Sequence, residues 1–100
     1  IENLSIDDKG SPSSKISLIG AFPNPFNPST VVAYQSHIDG DISVSIYNLK
    51  GQLVSNLYQG YQASGYYEVT FDASDLSSGM YFIRVANQSE IRSQKILLMK

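Results

Sequence analysis

Cysteine is absent from this chain. That excludes a disulfide framework and any thiolate metal site. Long apolar runs are absent too. A membrane-spanning helix needs ~20 consecutive apolar residues, and the longest clear run is Ile96-Leu97-Leu98-Met99. Charge is scarce, at 16% of residues against about 25% in ordinary domains. The formal net charge of −2 leaves no general nucleic-acid footprint. His37 is the single histidine, beside a turn signal, where a solvated surface role suits it better than catalysis. No GxSxG elbow, HExxH helix or phosphate-binding glycine loop occurs.

What remains is 42% hydrophobic, with seven Tyr and four Phe among many Gly, Ser, Asn and Gln. A chain of 100 residues favours one domain with one modest core. Charge is unevenly placed. Residues 1–91 hold all the acids, while residues 92–100 hold Arg92, Lys95 and Lys100 and no acid. The chain begins at Ile1 rather than Met, with no visible signal peptide. We therefore expect a piece from the end of a longer protein.

Residues 1–15 are polar, and Gly10, Ser11, Pro12, Ser13 and Ser14 cluster within them. That composition predicts a flexible linker, with one short strand near Leu4–Ile6. An ordered domain is expected over 16–100. Its short β-prone runs are separated by turn signals at sandwich spacing. Expected strands are Ile16–Phe22, Thr30–Ser36, Asp41–Asn48, Gln52–Tyr58, Tyr66–Phe71, Met80–Ala86 and Ile91–Met99. Pro23, Pro25 and Pro28 exclude 23–28 from a sheet interior. Ile42, Val44 and Ile46 alternate with polar neighbours, as a half-buried strand requires. Leu53 and Leu57 flank a polar stretch, which predicts a bulge or twist there. No stretch carries a helical period. The fold class is all-β, an immunoglobulin-like sandwich of about seven antiparallel strands in a Greek key.

Two acidic pairs invite a cation reading, Asp72 with Asp75 and Asp39 with Asp41. Turn capping by short polar side chains explains both more simply. No EF-hand pattern accompanies them. The aromatics allow a sugar-stacking reading, with Tyr58, Tyr61 and Tyr66 the best candidates for exposure. Tyr34, Tyr67, Tyr81, Phe71 and Phe82 read as core or cross-strand pairs.

Four segments occur in order: FPNPFNPSTVVAY over 22–34, IYNLKGQLVSNL over 46–57, LSSGMYFIRV over 76–85 and KILLMK over 95–100. Together they closely resemble the type IX secretion system C-terminal sorting domain, type A, over roughly residues 20–100. The resemblance implies a non-catalytic address that directs an attached cargo protein across the bacterial outer membrane. It implies transit through the periplasm, then secretion or display at the cell surface. The implied partners are the outer-membrane translocon, a cell-surface sortase-like protease and an N-terminal cargo domain. No cofactor, nucleic acid or membrane span is implied. Pro23, Asn24 and Pro25 match the family's opening element, Gly79 and Tyr81 its GxY element, and Lys95 and Lys100 its terminal basic element. These seven are the expected translocon-recognition residues. The final strand is expected near a sheet edge, open to strand addition. Cleavage is expected near Gly10–Ser14. The NPFNPST and IYN segments are also similar to the immunoglobulin-like domain of flagellar hook-capping proteins. That domain carries a longer insertion before its SGxY element; here Asp72–Ser78 is short. A structural module of that kind and a carbohydrate-binding module stand as alternatives.

Overall fold

A computed structural model describes residues 15–100. The expected linker over 1–14 and the strand near Leu4–Ile6 lie outside the described residues. Seven strands follow in order: β1 Ile16–Phe22, β2 Ser29–Ser36, β3 Gly40–Asn48, β4 Leu53–Gln62, β5 Gly65–Asp72, β6 Gly79–Ala86 and β7 Ile91–Leu98. Each expected strand is present, with ends moved by a few residues. β4 departs most, continuing to Gln62 where the sequence suggested a stop at Tyr58. Its last residues still pair with Gly40–Ile42 of β3, so Gly60 lies within the ladder.

The strands form two antiparallel sheets, one ordered β1-β2-β5 and the other β4-β3-β6-β7. The chain switches sheets after β2, β4 and β5, as an immunoglobulin-like sandwich does. Alternation decides what lies between the sheets. Ile42, Val44 and Ile46 meet Ile83 and Val85 from the neighbouring β6, and Val32, Tyr34 and Phe71 come from the facing sheet. All are buried.

The expected irregularity in β4 is real. The β3–β4 ladder slips twice, skipping Leu57 and then Val54 on the β4 side. Each bulge rotates the strand by one residue. Val54, Leu57 and Tyr58 thereby all pack on the core, while Leu53 is turned to solvent.

The sandwich has two poles. One gathers Lys15, the 36–40 and 62–65 turns and the 86–91 turn. There the Glu90 carboxylate accepts the amides of Lys15 at 2.9 Å and Ile16 at 3.2 Å. The Lys15 amide bond leads in holding the Glu90 carboxyl below its ordinary range, helped by the Ile16 amide and the Arg92 charge. A depressed carboxylate stabilises the fold above its unfolded pKa, and that contribution fades as pH falls through the folded value. Glu90→Gln should therefore flatten the acid limb of stability. Thermal melts between neutrality and about pH 3 should show wild type losing more than the variant. Equal losses would remove Glu90 from the acid response.

Candidate functional site

At the other pole the 22–34 and 76–85 motif segments meet the 95–100 segment, which holds the second half of β7. Gly79 pairs with Leu98 and Tyr81 with Ile96. On the opposite flank of β7 lies the proline loop. The Phe26 amide donates to Leu97 O at 3.0 Å, and the Met99 amide donates to Phe26 O at 3.0 Å. These bonds make a short parallel bridge between Phe26 and Leu98. Asn24 extends it with its side chain. Its Oδ1 accepts the Leu97 amide at 3.0 Å, and its Nδ2 reaches Lys95 O at 3.5 Å. The carboxamide offers one acceptor and one donor, like a peptide group, and it stands where a neighbouring strand would.

Phe26 holds the loop down. Its side chain is 2% exposed and meets the Phe71 ring with centroids 5.7 Å apart. Thr30, buried on β2, donates its hydroxyl to Pro23 O at 2.7 Å. Pro23 and Pro25 thus frame an asparagine and precede a buried aromatic.

β7 is an edge strand, as expected, but only half of its edge is open. The proline loop covers the outward groups from Lys95 O to Met99. The pleat turns the N–H and C=O of Ser93 to the same side, where no described strand pairs with β7.

Tyr81 is 8% exposed, and its hydroxyl donates to Ser77 O at 2.7 Å. A tyrosine early in a strand that bonds backbone four residues upstream is the corner device of such sandwiches. Its proton is therefore engaged within the domain, and its visible role is to fix the 77–79 turn. Gly79 opens β6 at φ +151° with nothing within 4 Å of a would-be Cβ. The demand there is on backbone conformation, which glycine alone meets readily.

The two lysines differ. Lys95 is exposed on the outer side of β7. Lys100 folds back: its Nζ donates to Ser74 O at 2.6 Å and its amide to Ser78 Oγ at 3.0 Å. The nearby Asp72 carboxyl is held below its ordinary range, chiefly by the Ser74 hydroxyl, then by the Ser74 amide and more weakly by the Lys100 charge.

Asn24→Ala should loosen the loop by about 1–2 kcal/mol, the worth of one good and one weak hydrogen bond. Hydrogen exchange reads this directly. The Leu97 amide should lose protection while the Ile83 amide keeps its own. Unchanged protection at Leu97 would show that the carboxamide does not hold the edge.

The other candidates resolve as follows. Asp72 Oδ1 accepts the Ser74 amide and Asp39 Oδ1 the Ser64 amide, so both carboxylates cap turns. Among the described residues no three His, Asp or Glu side chains gather. The His37 Nε2 meets the Ser17 hydroxyl at 3.3 Å. Tyr61 and Tyr66 are exposed, as expected, whereas Tyr58 packs on the core and donates to Tyr61 O. Tyr61 pairs with Asp41 on the outer face of one sheet and Tyr66 with Gln35 on the other. No planar aromatic row results. Phe82, expected in the core or in a cross-strand pair, forms the cross-strand pair, opposite Tyr47 on the outer face. Asn24's strand-like pairing and the outward Phe82 had no clear signal in the sequence beyond the prolines and period 2.

Comparison with known proteins adds one finding. The family model described as secretion system C-terminal sorting domain matches residues 20–99. No curated protein and no solved structure matches the chain.

Proposed function

The chain belongs to the secretion system C-terminal sorting domain family, and we propose that its motif-bearing pole is what the export machinery reads. A type IX sorting domain serves an attached cargo protein, and export across the outer membrane toward the surface or medium is its role. The finer reading is as follows. The cargo precedes Lys15, passes through the periplasm and is released or anchored when a sortase-like protease cuts ahead of the domain. The domain itself catalyses nothing.

The observation that carries this reading is the convergence of two distant motif segments on a third, residues 95–100. Pro23, Asn24 and Pro25 guard one flank of β7. Gly79 and Tyr81 build the other. Lys95 stands free at the boundary between guarded and open edge, and Lys100 locks the chain end onto the 72–78 loop. Strand addition by the translocon then has a defined place, the open groups around Ser93 and Lys95. Lys95 supplies the electrostatic share, since the Lys100 ammonium is engaged with Ser74 O.

A fusion tests this. The full chain is placed after a reporter that carries an ordinary signal peptide. It is expressed in a bacterium with a type IX system and in the same strain without the translocon. Reporter outside the first strain and retained in the second is the expected result. Intact, folded reporter retained in both would overturn the reading.

A further inference from the structure

A solvated face of an antiparallel sheet should carry polar side chains, and one row across the outer face of the four-stranded sheet departs from that. Leu53, Tyr47, Phe82 and Lys95 stand directly opposite one another across β4, β3, β6 and β7. This row is apolar over three strands and ends in a cation. One step along β6, the Arg84 guanidinium lies over the Tyr47 ring, 5.1 Å from its centroid. Leu49 in the adjoining turn is 67% exposed and Leu53 is 58% exposed. Tyr47, Leu49, Phe82 and Arg84 line a shallow groove open to solvent.

Charge is divided between the sheets. The strands of the three-stranded sheet hold only Glu68 and Asp72. The outer face of the four-stranded sheet holds Arg84 and Lys95 against one acid, Asp41, while Arg92 lies on the inner side of β7 and pairs with Glu90. Asp41 lies at the far end of β3 from Tyr47, about 20 Å away at strand rise. Neither Arg84 nor Lys95 meets a carboxylate among the described residues. An apolar ladder flanked by two cations without carboxylate partners is complementary to an apolar side chain flanked by carboxylates. A densely anionic lipid or polysaccharide surface fits less well, because it rewards many clustered cations and this chain has a net charge of −2.

We propose that the outer face of the four-stranded sheet, centred on Tyr47, Phe82, Arg84 and Lys95, docks on an acidic protein surface of the export machinery. The proposal rests on the sorting reading and extends it from the β7 edge, where Lys95 stands, onto the sheet face. The two cations steer and orient the partner, and Phe82 and Leu49 provide the apolar contact that keeps it.

The reporter fusion provides the test, with three changes. Arg84→Glu combined with Lys95→Glu should lower the exported fraction about tenfold or more, since like charges facing an acidic partner cost several kcal/mol. Glu68→Lys, on the opposite sheet, should leave export at the wild-type level. A photo-crosslinker at the exposed Leu49 should capture a translocon protein through an acidic segment. Wild-type export by the double reversal overturns the proposal, as does crosslinking to lipopolysaccharide alone. If the double reversal melts early, Leu49→Glu alone serves, because that side chain is 67% exposed and lies off the β7 edge. Failure of the unmodified fusion to be exported is a different result, and it removes the sorting reading along with this one.

Discussion

Phe26→Ala is expected to destabilise the domain by about 3–5 kcal/mol, the usual cost of emptying a buried aromatic site. Domains of this size have only about 5–15 kcal/mol in hand. The loss has two parts. The Phe71 ring loses its partner and a cavity opens between the sheets. The proline loop also loses the anchor that sets its amide and carbonyl against Leu97 and Met99. Phe26→Leu keeps most of the volume and should recover more than half of the loss. Urea titration gives both values. A loss under about 1 kcal/mol would mean that the loop is not seated as described. Export should fall with stability in both variants, because an open edge at 97–99 is also a site for unwanted pairing.

The second large effect concerns the chain end. Deleting residues 95–100 is an obvious way to test recognition by the last strand, and it should unfold the domain instead. Ile96 is 1% exposed and Leu98 is fully buried. Each is worth about 2–5 kcal/mol even when trimmed only to alanine, and the ladder to β6 is lost with them. Their sum approaches the whole stability of the fold. The truncated chain should show no cooperative melt and no dispersed amide spectrum. Lys95→Ala removes the exposed amine and should shift stability by no more than about 0.5 kcal/mol. Loss of export in the truncation with full export in Lys95→Ala would assign the effect to folding. Loss in both assigns a share to recognition. A cooperative melt in the truncation would show that β7 is not integral to the core.

The strands were readable because alternation leaves little freedom. A one-residue slip of β3 would expose Ile42, Val44 and Ile46 together. The proline loop was readable as a loop, since three prolines cannot donate to a ladder. Its destination was not readable. Nothing local says that the side chain of Asn24 will pair with Leu97, which lies far along the chain. That contact exists because both sheets close over Phe26. The outward turn of Leu53 was not readable for a related reason. Leu53 and Leu57 are four residues apart, which puts them on one face of a regular strand, and the two bulges in β4 place them on opposite faces. Tyr81 was legible as a core residue, while its hydroxyl bond to Ser77 depends on the backbone of the 77–79 turn. The expected recognition residues came from resemblance, and their proximity to one another emerges only from the fold.

Lys15 and Lys100 sit at opposite ends of the sandwich, separated by the length of β7, about 27 Å for eight residues. Lys15 therefore emerges at the Glu90 end, while the motif-bearing loops crowd the other. Under the proposed sorting function, a receptor gripping the loop end would meet the same surface whatever the size of the passenger. That geometry would separate handle from load, and one domain could serve passengers of unrelated shape.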